Sequence, residues 1–109
     1  MTTPKFTNNA TTTITDRISN TDTSLTVATG TGTLFPTLGV GDYFKATLQD
    51  TNNNFEIVRV TARADDTMTV VRGQDGTLAI PFPANSRFEI RITADNLQDY
   101  VASLDFLLL

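Results

Sequence analysis

Apolar and polar residues alternate along most of this chain. Leu25/Val27, Phe44/Ala46/Leu48, Val58/Val60/Ala62, Met68/Val70 and Phe88/Ile90/Ile92 each repeat with a period of two, as in a strand with one buried face. In the last run Arg87, Glu89 and Arg91 take the opposite face, which gives a strand that is apolar inside and charged outside. Threonine, the commonest residue, sits among these positions, and its branched Cβ suits a pleated, half-buried surface better than a helix. Turn chemistry falls between the runs. Asp50-Thr51-Asn52-Asn53-Asn54 reads as a polar hairpin loop, Asp65-Asp66 as a short turn, and Gly73-Gln74-Asp75-Gly76 as the end of a strand, while Pro81 and Pro83 keep the next loop extended. Connections this short join antiparallel neighbours, so a parallel βαβ sheet is not expected.

The period changes after Ile92. Thr93 is a candidate N-cap, Asp95 suits the positive end of a helix dipole, and Leu97, Val101, Leu104 and Leu108 recur at spacings of four, three and four, with Tyr100 and Leu107 beside them. Such a helix either covers one side of the sheet or meets copies of itself or a partner. The apolar ending Phe106-Leu107-Leu108-Leu109 favours a cover of some kind, because each buried Å2 of apolar surface is worth about 25 cal/mol. The expected organisation is a flexible arm over residues 1–8, a β-domain over 9–92, and a helix with an apolar tail over 93–109. The expected fold is all-β: a compact antiparallel β-sandwich or barrel of about 6–8 short strands with one C-terminal helix. Its core should hold Leu25, Val27, Phe44, Ala46, Leu48, Ile57, Val58, Val60, Val70, Phe88, Ile90 and Ile92. Adjacent Ile57 and Val58 cannot both face inward.

Composition narrows the chemistry. The 109 residues include no cysteine and no histidine. A Ser-His-Asp triad, a Cys-His pair and the usual zinc or haem ligation are therefore excluded, leaving carboxylate chemistry, a lysine nucleophile or oxygen-ligated cations. Net charge is −4, and the eight lysines and arginines are dispersed rather than clustered, which argues against a nucleic-acid partner. The first residues lack the apolar core of a signal peptide, and no run of about 20 apolar residues is present to span a bilayer, so folding in a cytoplasm is expected.

Three patterns resemble sites. Asp50, Asn52 and Asn54 match the start of a calcium loop, but Phe55 replaces its glycine and Thr61 its final glutamate. Gly30, Gly32, Gly39 and Gly41 suggest a phosphate cradle, yet they lead into a strand rather than a helix with a Lys-Ser/Thr pair. Asp65/Asp66, Glu56 and Glu89 offer carboxylates, but so short a chain is poorly suited to build a deep glycosidase cleft. No catalytic residue, cofactor or metal site is expected. Arg59, Arg63, Arg72, Arg87 and Arg91 project from predicted strands. Arginine is enriched in protein interfaces, which makes Arg59, Arg63 and Arg72 interface candidates together with Leu97, Tyr100, Val101, Leu104, Phe106, Leu107 and Leu108.

An ordered series of segments carries a further likeness. It runs through Asn9–Ile14, Thr23–Val27, Leu34–Pro36, Gly41–Phe44, Glu56–Arg63, Thr69–Thr77 and Arg87–Thr93. From about residue 8 to 103 this series resembles a small β-domain of tailed-bacteriophage structural proteins, often found at the virion-attached N-terminal end of tail fibres. The resemblance implies a non-enzymatic virion protein, assembled in the host cytoplasm, that attaches a fibre or other appendage to the tail or baseplate. It also implies other virion proteins as partners and homo-oligomers, trimers above all. In the proteins it resembles, a long fibre region usually follows the domain, whereas this sequence stops after the predicted helix. A capsid decoration protein fits the size, charge and β-rich pattern as well. A glycan-binding module would need exposed aromatics, for which Phe6, Phe35 and Phe82 are the loop candidates, although a Phe beside Pro is more often packed on the core.

Overall fold

The computed structural model describes residues 3–5, 7 and 10–91. Its strands are β1 (Thr3–Pro4), β2 (Thr11–Thr13), β3 (Ser24–Thr26), β4 (Asp42–Gln49), β5 (Phe55–Ala64), β6 (Thr67–Gln74) and β7 (Arg87–Glu89), with a 3-10 turn over Thr31–Leu34 between β3 and β4. β4, β5 and β6 are the long ones and form an antiparallel meander, as their short polar connections predict. Around it the strands lie in the order β2-β7-β4-β5-β6-β3, every neighbouring pair antiparallel. The sheet curls until its outer strands meet. Just past β2, Ile14 pairs with Val27, just past β3. The seam is held by Thr15 N–H to Thr26 O at 2.9 Å and Ala28 N–H to Thr13 O at 3.0 Å. One curled sheet, rather than two sheets packed face to face, encloses the core.

The core follows from the alternation. Leu25, Val27, Phe44, Ala46, Leu48, Val58, Val60, Val70 and Phe88 are buried as expected, while Ile57 and Ile90 are only partly so. Between Ile57 and Val58 it is Val58 that faces in. Val60 pairs with Val70 but Ala62 with Thr69, a one-residue bulge that turns Ala62 outward against its expected inward phase. Ala10, Ile14, Ile18, Phe35, Met68 and Phe82 complete the core. The ring of Phe35 lies 5.6 Å from that of Phe44 and 5.2 Å from that of Phe88. Phe35 and Phe82 are thus loop anchors, not exposed platforms. A closed sheet has two mouths, and aromatic side chains from loops are large enough to plug them.

Part of the N-terminal arm, expected as flexible, joins the sheet. Thr3 and Pro4 pair in parallel with Asp42 and Tyr43, and Lys5 N–H donates to Tyr43 O at 2.8 Å. The expected helix over 93–109, Ile92 and Phe6 lie outside the described residues. Among the described residues no helix is long and apolar enough to cross a membrane.

Candidate functional site

Glu56 on β5 and Arg72 on β6 share the inward phase of Val58/Val60 and Met68/Val70, which brings two opposite charges to one end of the core. Arg72 donates from Nε to Glu56 Oε2 at 2.8 Å and from Nη2 to Oε1 at 2.9 Å. Its other donors reach three backbone carbonyls: Ser19 O (2.6 Å), Asp22 O (2.8 Å) and Ile80 O (2.6 Å). All five guanidinium N–H groups are thereby engaged. Glu56, with no exposed surface, also accepts from Gly73 N–H at 2.8 Å and Ile80 N–H at 2.9 Å. Burial pushes the Glu56 carboxyl up, but the hydrogen bonds from Arg72, Ile80 and Gly73 outweigh it and hold the group below the usual glutamate range. Two strands and two loops are tied at one point. Arg72 was an interface candidate, yet its guanidinium is committed inside the chain.

The glycine loop does cradle an anion, and the anion is the chain's own. Asp66 accepts from Gly30 N–H at 3.0 Å and from Gly32 N–H at 2.9 Å. These two amides hold its carboxyl below the usual aspartate range against a smaller effect of burial, with Arg63 adding to them. Gly30 has φ of 82° and needs the left-handed region that glycine enters freely. A Cβ on Gly32 would lie 2.0 Å from Asp65 O, so this position has no room for a side chain. Asp65-Asp66 is therefore a turn with a structural carboxylate at its second position.

The calcium-like loop also turns on itself. Asp50 Oδ1 accepts from Asn52 N–H (2.9 Å) and Asn54 N–H (3.0 Å), and Oδ2 accepts from Asn54 Nδ2 (3.0 Å). The Asn54 side chain, and then its backbone and that of Asn52, lower the Asp50 carboxyl from its usual value. Donors converging on a carboxylate are the wrong polarity for a cation site. Among the described residues no group of three or more acidic side chains is placed to hold a metal.

The remaining candidates lie on the outer face of the sheet and its loops. Arg59 lies over the Tyr43 ring, 4.0 Å from its centroid, on the outer face of β4 and β5. Arg63 donates to Pro36 O, Asp65 O and Thr37 Oγ1 and so pins the loop before β4. Lys45, on the same outer face, pairs with Asp75. Arg91 pairs with Glu89 and reaches Gln49 Oε1, and Arg87 is exposed. Phe55, Val71, Leu78 and Val40 are large apolar side chains that stand in solvent, the first two on the outer faces of β5 and β6. Leu97, Tyr100, Val101, Leu104, Phe106, Leu107 and Leu108 lie outside the described residues. No protein-family model matches this chain, and no curated protein matches it.

The signal for the Glu56–Arg72 pair is present in the sequence. Both residues keep the phase of their strands' buried positions, and a charge in that phase needs an opposite one.

Proposed function

We propose that the chain is a non-enzymatic structural protein of a tailed-phage virion, an adaptor that joins a fibre or other appendage to the tail or baseplate through protein–protein contacts. One observation carries the reading. Three of the acidic groups in its site-like patterns are consumed internally: Glu56 by Arg72, Asp66 by the glycine loop and Asp50 by its own turn. Apolar side chains such as Phe55, Val71 and Leu78 stand outside instead. The ordered series of segments that resembles virion-attached β-domains supports the same reading, as does the apolar stripe Leu97, Val101, Leu104 and Leu108. In this proposal the stripe joins copies into trimers, with Tyr100, Phe106 and Leu107 flanking it.

Gold-labelled antibody on intact particles tests the location. Label at the tail or baseplate is the expected result, and label on the head would assign a decoration role instead. Mass measured across a dilution series, for the full chain and for one lacking residues 104–109, tests the mode of assembly. A monomer in both cases with no label on any particle would end the proposal.

A further inference from the structure

Residues 30–37 run between β3 and β4 without joining the sheet. Their own hydrogen bonds are short-range: Thr31 N–H donates to Ala28 O at 3.0 Å, Phe35 N–H to Gly32 O at 3.1 Å and the Thr33 hydroxyl to Gly30 O at 3.1 Å. Among the described residues, the side chains that bond this segment to the rest are those of Asp66 and Arg63, with the hydroxyls of Thr12 and Thr7 beside them. One ring runs the other way. Phe35 leaves the segment for the core and packs on Phe44 and Phe88.

Both charged side chains come from the β5–β6 hairpin, and they take the two ends of the segment. Asp66 accepts from Gly30 and Gly32 N–H at its start. Arg63 donates to Pro36 O at 3.2 Å and Thr37 Oγ1 at 3.3 Å at its end, and its bond to Asp65 O at 3.1 Å fixes the guanidinium to the turn. Phe35 lies between the two grips, so its ring cannot leave the core while either one holds. A segment without ladder bonds opens at a lower free energy than the strands around it, and it does so as a contiguous unit.

We propose that residues 30–37 are a latched plug that opens as one unit while the strands stay paired, with Asp66 and Arg63 as its two latches. Opening withdraws Phe35 and leaves an apolar socket against Phe44 and Phe88. The two latches are coupled, because each holds an end of the same unit: loss of either one eases opening along the whole segment. The plug stands apart from the virion reading, which particle labelling decides separately.

Amide hydrogen exchange of the full chain, followed residue by residue by NMR in low concentrations of urea, tests this. The amides of Gly30, Thr31, Gly32 and Phe35 should share one opening equilibrium, faster than that of the β4–β5 ladder, with a urea slope small but above zero because Phe35 is bared. Asp66→Asn weakens one latch and should speed all four by at least about tenfold, Phe35 included, with the ladder unchanged. Arg63→Ala should do the same from the other end, Gly30 included. Four amides with separate rates, a zero urea slope, or exchange no faster than the ladder overturns the proposal. So does a variant that speeds only the amides beside its own latch. Should either variant fail to fold, the common rate and slope in the unmodified chain decide alone.

Discussion

A carboxylate with no exposed surface persists in its charged form only when donors replace the water it has lost. Glu56 has four of them, two from Arg72 and two from the backbone. Removing one partner of such a pair costs about 3–5 kcal/mol, because the other charge stays buried. Glu56→Gln should therefore lower stability by about that much in urea unfolding at neutral pH, with little change in the denaturant slope. Replacing both residues with apolar ones is often harmless in other buried pairs, but not here. Glu56→Leu with Arg72→Met would strand Gly73 N–H, Ile80 N–H and the carbonyls of Ser19, Asp22 and Ile80. The double variant should stay clearly below wild type, and recovery to wild-type stability would show that those loops do not need the pair. At Gly32 the argument is steric. Gly32→Ala places a methyl group 2.0 Å from the Asp65 carbonyl oxygen, and the backbone shift it forces should cost at least about 1–3 kcal/mol. A melting temperature equal to wild type would contradict that close approach.

At the scale of elements, the sequence marked strands where alternation was unbroken. The runs through Phe44, Val58, Val70 and Phe88 lie in β4, β5, β6 and β7 as the period predicts. It misplaced Ala62, because a bulge adds one residue without any signature in composition. It gave little sign of β1 and none of the seam at Ile14 and Val27. These are a two-residue pairing and an isolated single bridge, fixed by the tertiary fold rather than by local preference. The arginines show the same limit. Their number and strand positions were legible, but Arg72 points in and Arg59 out, and only the phase of each strand separates the two. Turn chemistry was more transparent. The β4–β5 hairpin closes with Asn53 at φ 65°, a left-handed value that asparagine tolerates and most residues do not. Asn53→Ala should cost about 1 kcal/mol in thermal or urea unfolding, whereas Asn53→Gly should be nearly neutral. Equal effects from the two would mean that side-chain bonding, not backbone conformation, selects asparagine there.

For the whole molecule, acid is the condition that tests these separate locks together. Glu56, Asp66 and Asp50 all hold carboxyl values below their ordinary range in the folded chain. In acid the unfolded chain therefore binds protons more readily than the native one, and stability rises with pH wherever that is so. The contribution of these groups is complete above the unfolded carboxylate values of about 4 and is lost as pH falls through the lower folded ones. The melting temperature should be flat from about pH 8 to pH 6 and fall steadily below about pH 5. The sequence isoelectric point is near 4.4, so the fall begins while net charge is shrinking toward zero. Repulsion between like charges cannot cause a loss at that stage, because it is weakest there. Loss of specific pairing can. Glu56→Gln removes the group whose burial makes its pairing matter most, so its acid-induced fall should be shallower than wild type although it starts from a lower melting temperature. Parallel curves for the two proteins would assign the acid response to groups other than Glu56.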